Sequence, residues 1–163
     1  MKKSKKQNII IVSIAIIIIG AIAGYNYSVD QTKQKGLKFG NELQQIQEDV
    51  KQLQTEFNSK ITQQEEGDLS QQELSEYSKN HIEKLQNVIL KYDDLIPPKQ
   101  FASSVELFKL STQAQLDSDK EFIEWVKTSD DSHNIRSDSL LQESFEYEMM
   151  ALGEFNAAKA GLR

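Results

Sequence analysis

The sequence contains no cysteine, which excludes disulfides, thiolate metal sites and a lipidated N-terminal cysteine. It has only two prolines and seven glycines, against an abundance of Glu, Gln, Lys, Leu and Ile. That balance favours helix. It has no Gly-x-Ser-x-Gly elbow and no glycine-rich phosphate loop. Two histidines are present, and neither has a serine placed as a nucleophilic partner. The expectation is a protein that is not an enzyme and carries no cofactor.

Positive charge is scarce outside one place. The chain has 19 basic and 25 acidic residues. Setting aside Lys2, Lys3, Lys5 and Lys6 leaves 15 basic against 25 acidic, a net of −10. A nucleic-acid binder needs a basic surface, so nucleic acid is not an expected partner. The same charge argues against a domain lying flat on anionic lipid.

The four lysines precede the longest apolar run, at 9–27, in which Ser13 is the sole polar side chain before Gly24. A hydrocarbon core of roughly 30 Å needs about 17–25 apolar helical residues. Tyr25 and Tyr27 stand at its exit, where aromatic rings favour the interface. The reading is a basic cytoplasmic tail at 1–8, a transmembrane anchor at 9–27 and an extracytoplasmic domain at 28–163. The lysines set the orientation, with the N-terminus in the cytoplasm and the bulk outside the cell membrane. The rival is a signal peptide cleaved after Ala23, since Ala21-Ile22-Ala23 fits the small-x-small rule.

The exported part, about 135 residues, is long enough for one domain with its own core. A first helix is predicted to about Glu66, with the seam Val29, Thr32, Gly36, Phe39, Leu43, Ile46, Val50, Leu53, Phe57 and Ile61. Through Phe57 its spacings alternate three and four, the period of knobs-into-holes packing. Gln44, Gln45, Gln47, Gln52 and Gln54 are assigned to a solvated outer face. Gly67 ends this helix. Ser70 through Glu73 reads as a capping box for the second, whose stripe is Leu74, Tyr77, His81, Leu85, Val88, Tyr92 and Leu95, widened by Ile82, Ile89 and Ile96. Pro97-Pro98 must stop it. A third helix runs to about Lys127. A loop is expected at 128–139, and a fourth helix starts at an N-cap of Ser137 or Asp138. The fold class is all-α: a transmembrane helix followed by an antiparallel four-helix bundle, or alternatively a stalk helix plus a three-helix bundle.

Candidate sites are few. Asp130, Asp131 and His133 could ligate a divalent cation, but the spacing lacks the glycine and glutamate of an EF-hand, and a solvated loop is the preferred reading. His81 is expected to be a hydrogen-bonded core histidine, because Ser78 stands where a Glu-x-x-His metal motif needs glutamate. Thr112, Gln115 and Asp119, with Ser111 and Ser118, dilute the apolar stripe of the third helix. They are the best place for a small ligand, unless the helix simply turns them to water. An acidic tip of Glu65, Glu66, Asp68, Asp130, Asp131 and Asp138 is expected at the end distal to the membrane.

The stretch 95–125 has a double proline, then Phe101, Glu106-Leu107-Phe108 and a Ser/Gln-rich turn at 111–115. It resembles small single-span, surface-exposed helical proteins of unassigned function, as in ammonia-oxidising archaea. The resemblance implies a surface helical protein and carries no activity. The functional expectation is a membrane-anchored, non-enzymatic interaction or accessory subunit, with a protein partner or homo-oligomer. The alternative is a binding or sensor module for a small ligand or divalent cation.

Overall fold

The computed structural model describes residues 34–161, and its regular elements are all helices: α1 (Gln34–Glu66), α2 (Gln71–Asp93), a 3₁₀ turn (Lys99–Phe101), α3 (Ala102–Thr128) and α4 (Asp131–Lys159). The apolar run at 9–27, the cleavage site after Ala23 and the seam residues Val29 and Thr32 lie outside the described residues. Among the described residues no helix is long and apolar enough to cross a membrane.

Local signals set three of the helix ends. Gly67 adopts φ 86°, a left-handed conformation that ends α1 and lets Asp68 N–H reach back to the Gln63 carbonyl at 2.8 Å. Ser70 then caps α2. Its Oγ accepts from Glu73 N–H at 3.2 Å, while the Glu73 carboxylate accepts from Ser70 N–H at 2.8 Å. The Ser70 hydroxyl, which donates to Glu73 Oε2 at 2.6 Å, and then the Ser70 N–H hold the Glu73 carboxyl below its ordinary range. The stop of α2 comes at Asp93, earlier than the stripe implies. Leu95 still turns into the core, but Ile96 is 82 % exposed. Pro97 keeps Ile96 out of helical backbone, so it cannot extend the stripe of Ile82 and Ile89.

The expected loop at 128–139 is absent. Only Ser129 and Asp130 join α3 to α4. Ser129 takes φ 56° without being glycine, and its N–H bonds the Trp125 carbonyl at 2.7 Å. Asp130 is the N-cap, accepting from Ser132 N–H at 2.9 Å, so neither Ser137 nor Asp138 starts the helix. The first turns of α4 lack an apolar stripe because serine does the packing there.

That packing is a seam of small residues at seven-residue steps. Ser104, Ser111 and Ser118 on α3 are buried, as are Ser137, Ser144, Ala151 and Ala158 on α4. Ser118 Oγ donates to the Ser137 carbonyl at 2.8 Å, and Ser144 Oγ donates to the Ser111 carbonyl at 2.9 Å. Each serine pair is also joined hydroxyl to hydroxyl. The pairs 118/137 and 111/144 fix an antiparallel register that sets Ser104 opposite Ala151. Without large side chains between them, the two backbones approach closely.

The main apolar cluster draws on every helix: Phe39, Leu43 and Ile46 from α1, Val88 and Tyr92 from α2, Val105 and Phe108 from α3, Ala151, Phe155 and Ala158 from α4. Over 39–57 α1 is therefore packed into the bundle and is not a free stalk. Phe101, on the 3₁₀ turn, lies between Phe39 (ring centroids 5.6 Å) and Phe155 (5.0 Å). Burying each such ring stabilises the fold by about 1.5–3 kcal/mol. This cluster marks one end of the bundle, the base, where α1 begins and α4 ends. The tip holds the α1–α2 and α3–α4 turns.

Candidate functional site

The ligand candidates of α3 face neither water nor an open pocket. Ser111, Thr112, Gln115, Ser118 and Asp119 are all buried. The two serines belong to the α4 seam, and the other three enter two hydrogen-bond chains.

The upper chain centres on Asp119. Its Oδ2 accepts from Gln54 Nε2 at 2.7 Å and lies 2.9 Å from His81 Nε2. Its Oδ1 accepts from Gln115 Nε2 at 3.1 Å. A carboxylate can only accept, so the imidazole hydrogen facing it is on Nε2. The His81 ring stacks on Phe57, with centroids 4.2 Å apart and planes 7° apart. His81 Nδ1 has no partner. A His–Asp pair is half of an acid–base apparatus, but this one is sealed. The side chains of His81 and Asp119 are 0 % and 7 % exposed. Ser78, the hydroxyl one turn before His81, donates to the Leu74 carbonyl instead. The nearby void between Phe57, Leu74, Ser78 and Phe122 is about 10 Å³, room for one water at most. The arrangement therefore links α1, α2 and α3 and leaves no place for a substrate.

The lower chain runs in one direction. Gln47 Nε2 donates to Tyr92 Oη at 2.8 Å, Tyr92 Oη lies 3.0 Å from Thr112 Oγ1, and Thr112 donates to the Phe108 carbonyl at 3.0 Å. With the threonine hydrogen committed to Phe108, the tyrosine must donate to threonine. Burial raises the Tyr92 phenol, and the charge of Glu148 on α4 raises it further; the bonds to Thr112 and Gln47 oppose both. Glu148 is itself half-buried. Desolvation pushes its carboxyl up to about 8.

Two members of these chains, Gln47 and Gln54, depart from the expected solvated glutamine face, since they are 7 % and 3 % exposed, whereas Gln45 and Gln52 are exposed as expected. Gly40, Gln47 and Gln54 are seven apart and all buried. That spacing was a usable signal beside the apolar seam. Glu148 had none.

The cation candidates are likewise committed elsewhere. Asp130 is the cap of α4, and the Ser132 N–H holds its carboxyl below the ordinary range. Asp131 is exposed in the first turn. His133 sits on α4, not in a loop, with Nδ1 2.6 Å from Glu121 Oε2. Arg136 Nε donates to the same oxygen at 2.9 Å. His133 first, then Arg136, lower the Glu121 carboxyl. Asp138 falls two turns along α4, away from the turn that holds Asp130. Among the described residues no group of three or more His, Asp or Glu is arranged to hold a metal ion.

What the interior hides, α4 exposes. Phe145, Met149 and Met150 are 39 %, 47 % and 49 % exposed, and Ile135 near the tip is 69 % exposed. By the register with α3, Phe145 and Met149 flank the seam on its inner side, beside Glu148. Met150 flanks it on the outer side, as does Leu110 of α3. No family model, curated protein or solved structure matches this chain.

Proposed function

We propose that the chain is a single-span membrane protein whose transmembrane helix carries an antiparallel four-helix bundle outside the cell membrane, with the N-terminus in the cytoplasm. In this reading the bundle is a non-catalytic interaction or accessory subunit, and α4 is its contact helix. The observation that carries the reading is the apolar surface of α4. Phe145, Met149 and Met150 stand in water, although the same helix packs α3 through serines and alanines. Unbranched, polarisable methionines adapt to a partner's surface, and exposed apolar patches on a folded domain mark contacts. The alternative of a small-ligand or cation module draws less support, because Thr112, Gln115 and Asp119 are bonded to protein groups.

The test is purification of the tagged full chain from its native membranes in mild detergent, followed by mass analysis. A stoichiometric companion that is lost in Phe145→Glu/Met149→Glu would support the reading. A lone monomer, or a companion indifferent to that change, would sink it. Intact mass of the purified chain reports whether 1–23 is still attached.

A further inference from the structure

The loop between α2 and the 3₁₀ turn presents a hydrophobic side chain with no packing role. Leu95 is buried, 9 % exposed, in the base cluster, while its neighbour Ile96 is 82 % exposed. This is the most exposed large hydrophobic side chain among the described residues. It is also held there. Leu95 fixes one side of the loop, its N–H bonded to the Tyr92 carbonyl at 3.3 Å. Two prolines fix the other, with Pro98 at φ −56° and ψ 145°. Proline restricts both its own φ and the backbone of the residue before it, which holds Ile96 in extended backbone.

Its position is informative. The loop lies at the base, where Phe101 touches Phe39 in the first turns of α1. Six residues, 28–33, separate the apolar run at 9–27 from the start of α1 at Gln34. Fully extended they reach at most roughly 20 Å, so the base is tethered close to whatever the run is embedded in. Charge is mixed at the base and acidic at the tip. Exposed Lys38, Lys91, Lys99 and Lys159 stand at the base among exposed Glu42, Asp93, Asp94 and Glu106, whereas exposed Glu65, Glu66, Asp68, Asp130 and Asp131 stand at the tip.

We propose that the base of the bundle rests on the outer surface of the membrane, with Ile96 inserted among the lipid headgroups. This rests on the single-span reading above and deepens it by giving the bundle an upright orientation, Ile96 loop down and acidic tip outward. The acidic tip is repelled from an anionic surface, which favours that orientation.

The absence of cysteine makes the test direct. Single variants of the full chain, Ile96→Cys, Leu90→Cys, Ile135→Cys and Ser13→Cys, are labelled with an environment-sensitive fluorophore. Each is reconstituted in vesicles of phosphatidylcholine and phosphatidylglycerol containing nitroxide-labelled lipid. Leu90 and Ile135 are 61 % and 69 % exposed, so these labels enter water as freely as one at 96. The expected result is several-fold stronger lipid quenching at 96 than at 90 or 135. A label at 96 quenched by aqueous iodide and not by lipid, as it would be if a protein partner or open water covered the loop, overturns the proposal. Quenching at Ser13→Cys separates the two failures. If 13 is quenched and 96 is not, the anchor stands and the resting base falls. If 13 is not quenched, the single-span reading falls and takes the proposal with it.

Discussion

The base and the tip half of this bundle are held together by different chemistry. The base is hydrocarbon: Phe39, Leu43, Phe101, Phe108 and Phe155 are each 1 % exposed or less. Toward the tip the interior turns polar, with His81, Asp119, Gln54, Gln115 and Ser118 buried at comparable levels. Apolar contacts are additive and undirected, so the base gains stability from area. Hydrogen bonds exchange for bonds to water and yield little net energy, but a missing partner is costly. The polar half thus adds less to stability and more to uniqueness, because one arrangement of helices satisfies Asp119 with three donors at once. A slipped helix would strand a buried carboxylate.

The largest expected effect lies in the base. Phe108→Ala leaves a cavity among four helices and should cost about 3–5 kcal/mol in chemical denaturation. Asp119→Ala comes next. It strands His81 Nε2, Gln54 and Gln115 in a closed interior and should cost about 2–3 kcal/mol. Replacing His81 and Asp119 together by Phe and Leu should recover only the share due to His81, since the buried amides of Gln54 and Gln115 still lack their acceptor. If Asp119→Ala is as mild as a surface change, the contrast between the halves is wrong.

The seam comes third. Ser118→Leu forces α3 from α4 and should cost about 1–3 kcal/mol, whereas Ser118→Ala keeps the approach and should cost about 1 kcal/mol or less. Equal losses would mean that the hydroxyl, not the size, is what matters. The smallest effect belongs to Glu148. Its folded value of about 8 lies above the ordinary 4.5. Between those values the folded state keeps a proton that the unfolded chain has released, so stability falls as pH rises through that window. Solvent screening at its open edge limits the change to about 1 kcal/mol. In Glu148→Gln the melting temperature should lose that slope and exceed the parent's at pH 8. An unchanged slope would place the titration elsewhere.

How much of this could be read in advance follows the same division. Phe39, Leu43, Ile46 and Phe57 announced α1 because large apolar residues at three-four spacing have few other uses. Ser70 and Glu73 announced α2 because a capping box is local. The polar interior was harder. A buried serine and a solvated serine look alike in sequence, so Ser111 and Ser118 read as dilution of a stripe when they were part of one. Asp119 gained its meaning from Gln54 and His81, which lie 65 and 38 residues away. Ser129 hid the α3–α4 turn because left-handed backbone is expected of glycine, and the serine-lined start of α4 then read as loop.

The seven-step seam has a mechanical consequence. Its teeth recur about every 10.5 Å along each helix, and two of the serine teeth, Ser118 and Ser144, are bonded to the opposite backbone. Sliding α3 along α4 by a single residue would break those bonds and drive larger side chains into the gap, while sliding by a full tooth would strand one end. The hairpin therefore behaves as a rack locked in its pinion. A push or twist applied where Ser129 joins the two helices arrives at Phe101 and Phe155 with little lost in shear, and a load on the tip is delivered to the base as motion of a single rod.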